Sequence, residues 1–82
     1  MSVKRSEHYG ELQKLVDELY ASRKFLSSSE LVLAAVILDF PPDLLEICNI
    51  VPPGTYSRQA LCDQLNSAMT AHGWGGVYGT VK

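Results

Sequence analysis

No stretch of this sequence is long and apolar enough to cross a bilayer as a helix. The longest run without a polar residue, Leu31 to Leu38, has eight residues, where a spanning helix needs about 20. Charge of one sign is equally scarce. Seven Lys and Arg stand against nine Asp and Glu, for a net charge of −2. The pI is near 5.5, whereas nucleic-acid binders usually carry a basic stripe or a high pI. Histidine and cysteine number two each, and no CxxC or HxxxH spacing occurs among them. A zinc site needs about four N, S or O ligands. Cys62 and His72 are ten residues apart, about 15 Å along a helix axis, too far to share a metal or form a nucleophile pair. No metal and no cofactor is expected.

The remaining scarcities narrow the class further. Small secreted domains usually carry about four to eight cysteines, so Cys48 and Cys62 read as two buried thiols in a cytoplasmic protein. Six Gly and four Pro fall singly or in short clusters, which excludes a collagen-like or low-complexity chain. With hydrophobic residues at 46%, the composition is that of a folded domain and not of a disordered segment. Met1 to His8 holds two basic residues with no apolar stretch behind them, which is not the pattern of a signal peptide.

What is present reads as one all-α domain over 1–82: four helices at about 7–25, 28–39, 42–50 and 57–72 and a Gly/aromatic C-terminal tail. Residues 1–5 and 74–82 are the candidate flexible ends. In the first segment Tyr9, Leu12, Leu15, Val16, Leu19 and Tyr20 share one side of a helix, and Glu7, Glu11, Lys14 and Glu18 share the other. Ser6 is available as N-cap, and Arg23 and Lys24 suit the negative C-terminal end. Gly10 weakens the first turn, so the helix proper is expected from Glu11.

Ser27 with Glu30 three residues on has the form of a capping box. Leu31 to Leu38 is then apolar on every side, a pattern that fits a buried helix or a buried strand. The cap and the alanine pair select a central buried helix, stopped where Pro41 drives Phe40 out of the α region. Pro42 and Asp43 suit the start of a third, short helix carrying Leu44, Ile47, Cys48 and Val51. It must end before Pro52-Pro53-Gly54. The fourth helix is capped by Thr55 or Ser57, buries an arc of Leu61, Cys62, Leu65, Ala68, Met69 and His72, and stops at Gly73. The tail from Trp74 is either loose or a short extended segment docked through Trp74, Val77 and Tyr78.

Chemistry finds little purchase here. The acidic stripe on the first helix belongs to a solvated face, and Pro53-Gly54-Thr55-Tyr56-Ser57 lacks the glycine spacing and lysine of a P-loop. No catalytic activity is expected. The outward face of the fourth helix is polar and nearly uncharged, and interface cores are depleted in charge. It marks Gln59, Asp63, Gln64, Asn66, Ser67 and Thr70, with Trp74 and Tyr78 of the tail, as candidate contacts for another protein. The alternative is a DNA-binding regulator in which the third and fourth helices form a helix-turn-helix read through Ser57, Arg58 and Gln59. Few cations and a long connection weigh against it. Because two flanking helices do not easily cover Leu31–Leu38, self-association is expected as well.

Overall fold

The computed structural model describes residues 5–82. Its elements in chain order are α1 (Glu11–Leu19), β1 (Phe25–Ser27), α2 (Ser28–Ile37), α3 (Pro42–Ile50), β2 (Thr55–Ser57), α4 (Arg58–His72) and α5 (Gly75–Tyr78). The domain is mostly helical, as expected. The ribbon of β1 and β2 is an addition that the all-α reading lacked. The two strands pair antiparallel, with Phe25 opposite Ser57 and Ser27 opposite Thr55. Each ends in a serine that caps the helix behind it. Ser27 Oγ accepts the Glu30 N–H at 3.1 Å while the Glu30 carboxylate accepts the Ser27 N–H at 3.3 Å, the reciprocal pair the spacing predicts. Ser57 Oγ accepts the Ala60 N–H at 3.3 Å.

The first helix starts at Glu11, where Gly10 leads one to expect it, and ends well short of residue 25. Gly10 takes a φ of 86°, a conformation cheap only for glycine, so α1 starts at Glu11 and Ser6 caps nothing. Ser6 Oγ accepts instead from the His8 N–H at 3.1 Å. Beyond Leu19 the chain turns into β1, which leaves Arg23 and Lys24 outside the helix. The Arg23 guanidinium pairs with Glu30 across the start of α2.

The helix stops follow one pattern twice. Asp39 and Gly73 both adopt left-handed backbone, at φ 56° and 70°. The following N–H groups reach back five residues, Phe40 to the Ala35 carbonyl at 3.0 Å and Trp74 to that of Met69 at 2.9 Å. These are Schellman caps. The stop of α2 therefore comes from Asp39, a residue that tolerates this conformation, before Pro41 exerts any effect. Phe40 swings into the core behind it.

The core is built by Leu12, Leu15 and Val16 of α1, Leu44, Ile47 and Cys48 of α3, and Leu61, Cys62, Leu65, Ala68 and Met69 of α4. Leu26, Leu31, Ala35, Phe40, Val51 just beyond α3, Tyr78 and Val81 complete it. The expected central position of α2 is overturned. Only Leu31 and Ala35 are buried there, because α3 and the ribbon cover a single narrow stripe, i and i+4, of this helix. His72, expected in the buried arc, is exposed; it sits on the last residue before the Gly73 turn and stacks on Trp74, ring centroids 4.4 Å apart.

Of the two alternatives the tail is docked, with the one-turn helix α5 at Gly75–Tyr78 in place of an extended segment. Tyr78 and Val81 are buried. The Ser6 and Gly10 N–H groups donate to the carbonyls of Val77 and Tyr78 at 3.0 and 3.1 Å. Met1 to Lys4, including Lys4 of the N-terminal basic pair, lie outside the described residues.

Candidate functional site

The eight side chains proposed from sequence as partner contacts separate into three groups. Gln59, Asp63, Gln64, Ser67 and Thr70 are exposed on the outward face of α4. A shallow open depression lies there, lined by Asp63, Asn66, Ser67, Thr70 and Ala71. Asn66 itself is committed to the tail. Its carboxamide donates to the Val81 carbonyl and accepts the Val81 N–H, both at 2.8 Å. Gln13 of α1 holds Lys82 in the same way, accepting its N–H at 2.9 Å and donating to its carbonyl at 2.8 Å. Two amide side chains thus grip consecutive residues of the tail by main-chain atoms alone.

Trp74 and Tyr78 form the third group. Trp74 is half-buried and meets the Tyr78 ring edge-on at 6.0 Å and 83°. The Tyr78 hydroxyl donates to the Asp43 carboxylate at 2.7 Å. That bond, together with burial, holds the phenol above its ordinary pKa. Both rings are structural parts of the docked tail, and Tyr78 presents no free surface.

The residues of the helix-turn-helix alternative are placed as follows. Ser57 is the α4 cap, and its Oγ is used by that cap. The Arg58 guanidinium pairs with Asp17 of α1 and donates to the Lys82 main-chain oxygen at 2.8 Å. Hydrogen bonds from Arg58 and Gln13 hold the Asp17 carboxyl below its ordinary value. Gln59 alone of the three is exposed and makes no hydrogen bond among the described residues. The connection from α3 to α4 runs through Val51–Ser57 and contains β2, in place of a turn of about 3–4 residues.

Both cysteines are buried and free. Burial pushes the Cys48 thiol up to about 12 and raises Cys62 as well. Such thiols are poor nucleophiles and poor ligands, since the thiolate is the reactive form. Among the described residues no three His, Cys, Asp or Glu side chains gather where a metal ion fits. His8 instead contacts Glu11 and, at 3.5 Å, Glu7. No polar side chain is fully buried among the described residues, so the interior offers no converging donors or acceptors. No helix among them is long and apolar enough to cross a membrane.

The feature that residue types on α4 did not reveal lies on α2. Leu33, Val36 and Ile37 are 60%, 57% and 72% exposed; Leu38, just past the helix and 51% exposed, faces α1 beside Glu11, Lys14 and Leu15. Leu33, Val36 and Ile37 stand at i, i+3 and i+4, one stripe of the helix. An open groove beside them is lined by Val32, Leu33, Val36, Asn49, Val51 and Pro53, with Ser28 and Ser29 at its edge. The signal in the sequence was the unbroken run itself: eight apolar residues exceed what one buried stripe absorbs.

The chain matches no protein-family model, no curated protein and no solved structure.

Proposed function

We propose that this chain is a protein-binding module that acts through an exposed helical surface and has no catalytic activity of its own. The working surface is the outward face of α2. One observation carries this reading: Leu33, Val36 and Ile37, at i, i+3 and i+4 of one short helix, are each more than half exposed, while most leucine, isoleucine and methionine side chains among the described residues lie in the core or pack against it. Leu33, Val36 and Ile37 together expose roughly 350 Å², within the about 300–600 Å² of the largest apolar patch on a typical monomer, which is often functional. Covering such a face recovers about 25 cal/mol for each Å² removed from water.

The neutral face of α4, with Gln59, Asp63, Gln64, Ser67 and Thr70, is a weaker candidate for the same role. It offers polar groups that water satisfies equally well, so a partner gains less there. The runner-up function, DNA binding through Ser57, Arg58 and Gln59, asks Arg58 to leave Asp17 and the tail before it contacts a phosphate.

Affinity capture with the tagged full chain from cells that express it tests this reading, with and without nuclease. Wild type and Ser67→Glu are expected to retain the same nuclease-resistant protein, and Ile37→Asp to lose it while keeping its helical circular dichroism. Retention by Ile37→Asp with loss by Ser67→Glu moves the surface to α4. Loss of every partner on nuclease treatment, or on Arg58→Ala alone, refutes the protein-binding reading in favour of DNA.

A further inference from the structure

We propose that the outward face of α2 binds a second copy of this chain, α2 against α2 about a two-fold axis that sets the helices antiparallel. The inference rests on the reading above and names the partner that fits the same surface.

Chemical self-complementarity is the first ground. A two-fold interface opposes a patch to itself, so each group meets its own kind. From Leu31 to Leu38 the helix carries no charge and no side-chain hydrogen-bonding group. A second copy therefore brings no like charge and no unpaired polar group into the centre of the contact. Leu33, Val36 and Ile37 supply ridges at i, i+3 and i+4 spacing, which interdigitate with the same ridges of a facing helix.

Area is the second ground. A standard interface takes about 800 Å² from each partner. The apolar centre of Leu33, Val36 and Ile37 supplies roughly 350 Å², and the groove beside it, with Ser29, Val32, Asn49 and Pro53, adds to the area each copy buries.

The third ground selects the orientation. Lys24 precedes α2 by the three residues of β1, and its neighbour Arg23 pairs with Glu30 in the first turn of α2. Asp39 follows its C-terminal end. Both are exposed, and neither makes an ion pair among the described residues. In an antiparallel pair each Asp39 faces the partner's Lys24 end, and the helix dipoles oppose head to tail. A parallel pair stacks like charge on like charge at both ends.

Sedimentation equilibrium of the full chain from about 1 μM to about 1 mM reads the dissociation constant directly. The mass is expected to rise from 9.0 kDa toward twice that value. Ile37→Asp, whose substituted side chain is exposed in the single chain, is expected to weaken the dimer by about 100-fold or more, since it buries an unpaired carboxylate. Lys24→Glu is expected to weaken it several-fold at low salt, with the difference fading at high salt. A chain that stays at 9.0 kDa throughout overturns the second copy as occupant, and partner capture then decides separately whether α2 is a binding face at all. A dimer indifferent to Ile37→Asp, with the helical spectrum intact, overturns this interface. A dimer indifferent to Lys24→Glu at low salt overturns the antiparallel arrangement.

Discussion

Truncating Tyr78 to alanine removes the side chain through which the tail is anchored to the start of α3. The ring is buried and lies edge-on to Trp74 at 6.0 Å. Its hydroxyl spans to Asp43 at the start of α3 with a 2.7 Å bond. Removing a buried aromatic costs about 3–5 kcal/mol when the site does not collapse. The Asp43 carboxylate, half-exposed, regains water, so no buried orphan acceptor adds to that figure. Tyr78→Phe separates the two contributions. It keeps the ring and loses only the bond to a charged acceptor, for about 1.5–3 kcal/mol at most. A chain of 82 residues has about 4–12 kcal/mol of total stability to lose, and each kcal/mol is worth about 4–8 °C in Tm. Tyr78→Ala is therefore expected to melt about 12–40 °C below wild type, and Tyr78→Phe about 6–24 °C below at most. Urea titration followed by far-ultraviolet circular dichroism measures both. A Tyr78→Ala chain whose stability lies within about 0.5 kcal/mol of wild type, the range of an ordinary surface substitution, refutes the docked tail and the burial argument together.

Three further outcomes follow from the same contacts. Asn66→Ala leaves the Val81 N–H and carbonyl without their partner, and urea melts are expected to show a loss of about 1–3 kcal/mol. Because the folded state raises the Tyr78 phenol above its ordinary value of 10.0, its contribution is complete below that pH and lost as pH rises through the folded value; wild type is expected to lose stability above pH 10 more steeply than Tyr78→Phe, read from melts in alkaline buffers. Cys48 and Cys62 are both buried with raised pKa values, so neither is expected to react with a water-soluble disulfide reagent until urea unfolds the chain, after which both titrate. Rapid labelling of two thiols in native buffer refutes the core placement of these residues.

The features legible in the sequence are those decided within a few residues of chain. Ser27 and Glu30 satisfy each other's backbone donors wherever the rest of the protein goes. Pro42 suits a first helical turn because its ring already holds the required φ. Gly73 accepts a positive φ that other residues resist. These local energies placed α3 and α4 almost residue for residue, and the buried arc of α4 followed from its period, apart from His72 at the frayed end.

Only tertiary structure decided which faces those helices hide. Leu31 to Leu38 is apolar all round, so its pattern carries no direction, and burial of Leu31 and Ala35 with exposure of Leu33 and Ile37 depends on where α3 and β1 lie. The strands at Phe25–Ser27 and Thr55–Ser57 are too short for a two-residue period to register; they exist because each supplies the other's hydrogen bonds across a separation of some thirty residues. The tail is held by Gln13 and Asn66 gripping main-chain atoms of Lys82 and Val81, contacts that no side-chain pattern within the tail encodes. Local propensity acts through neighbours in the chain, whereas coverage of a face is set by elements distant in sequence. For that reason the exposed side of α2, the surface on which the proposed binding rests, emerged only from the assembled fold.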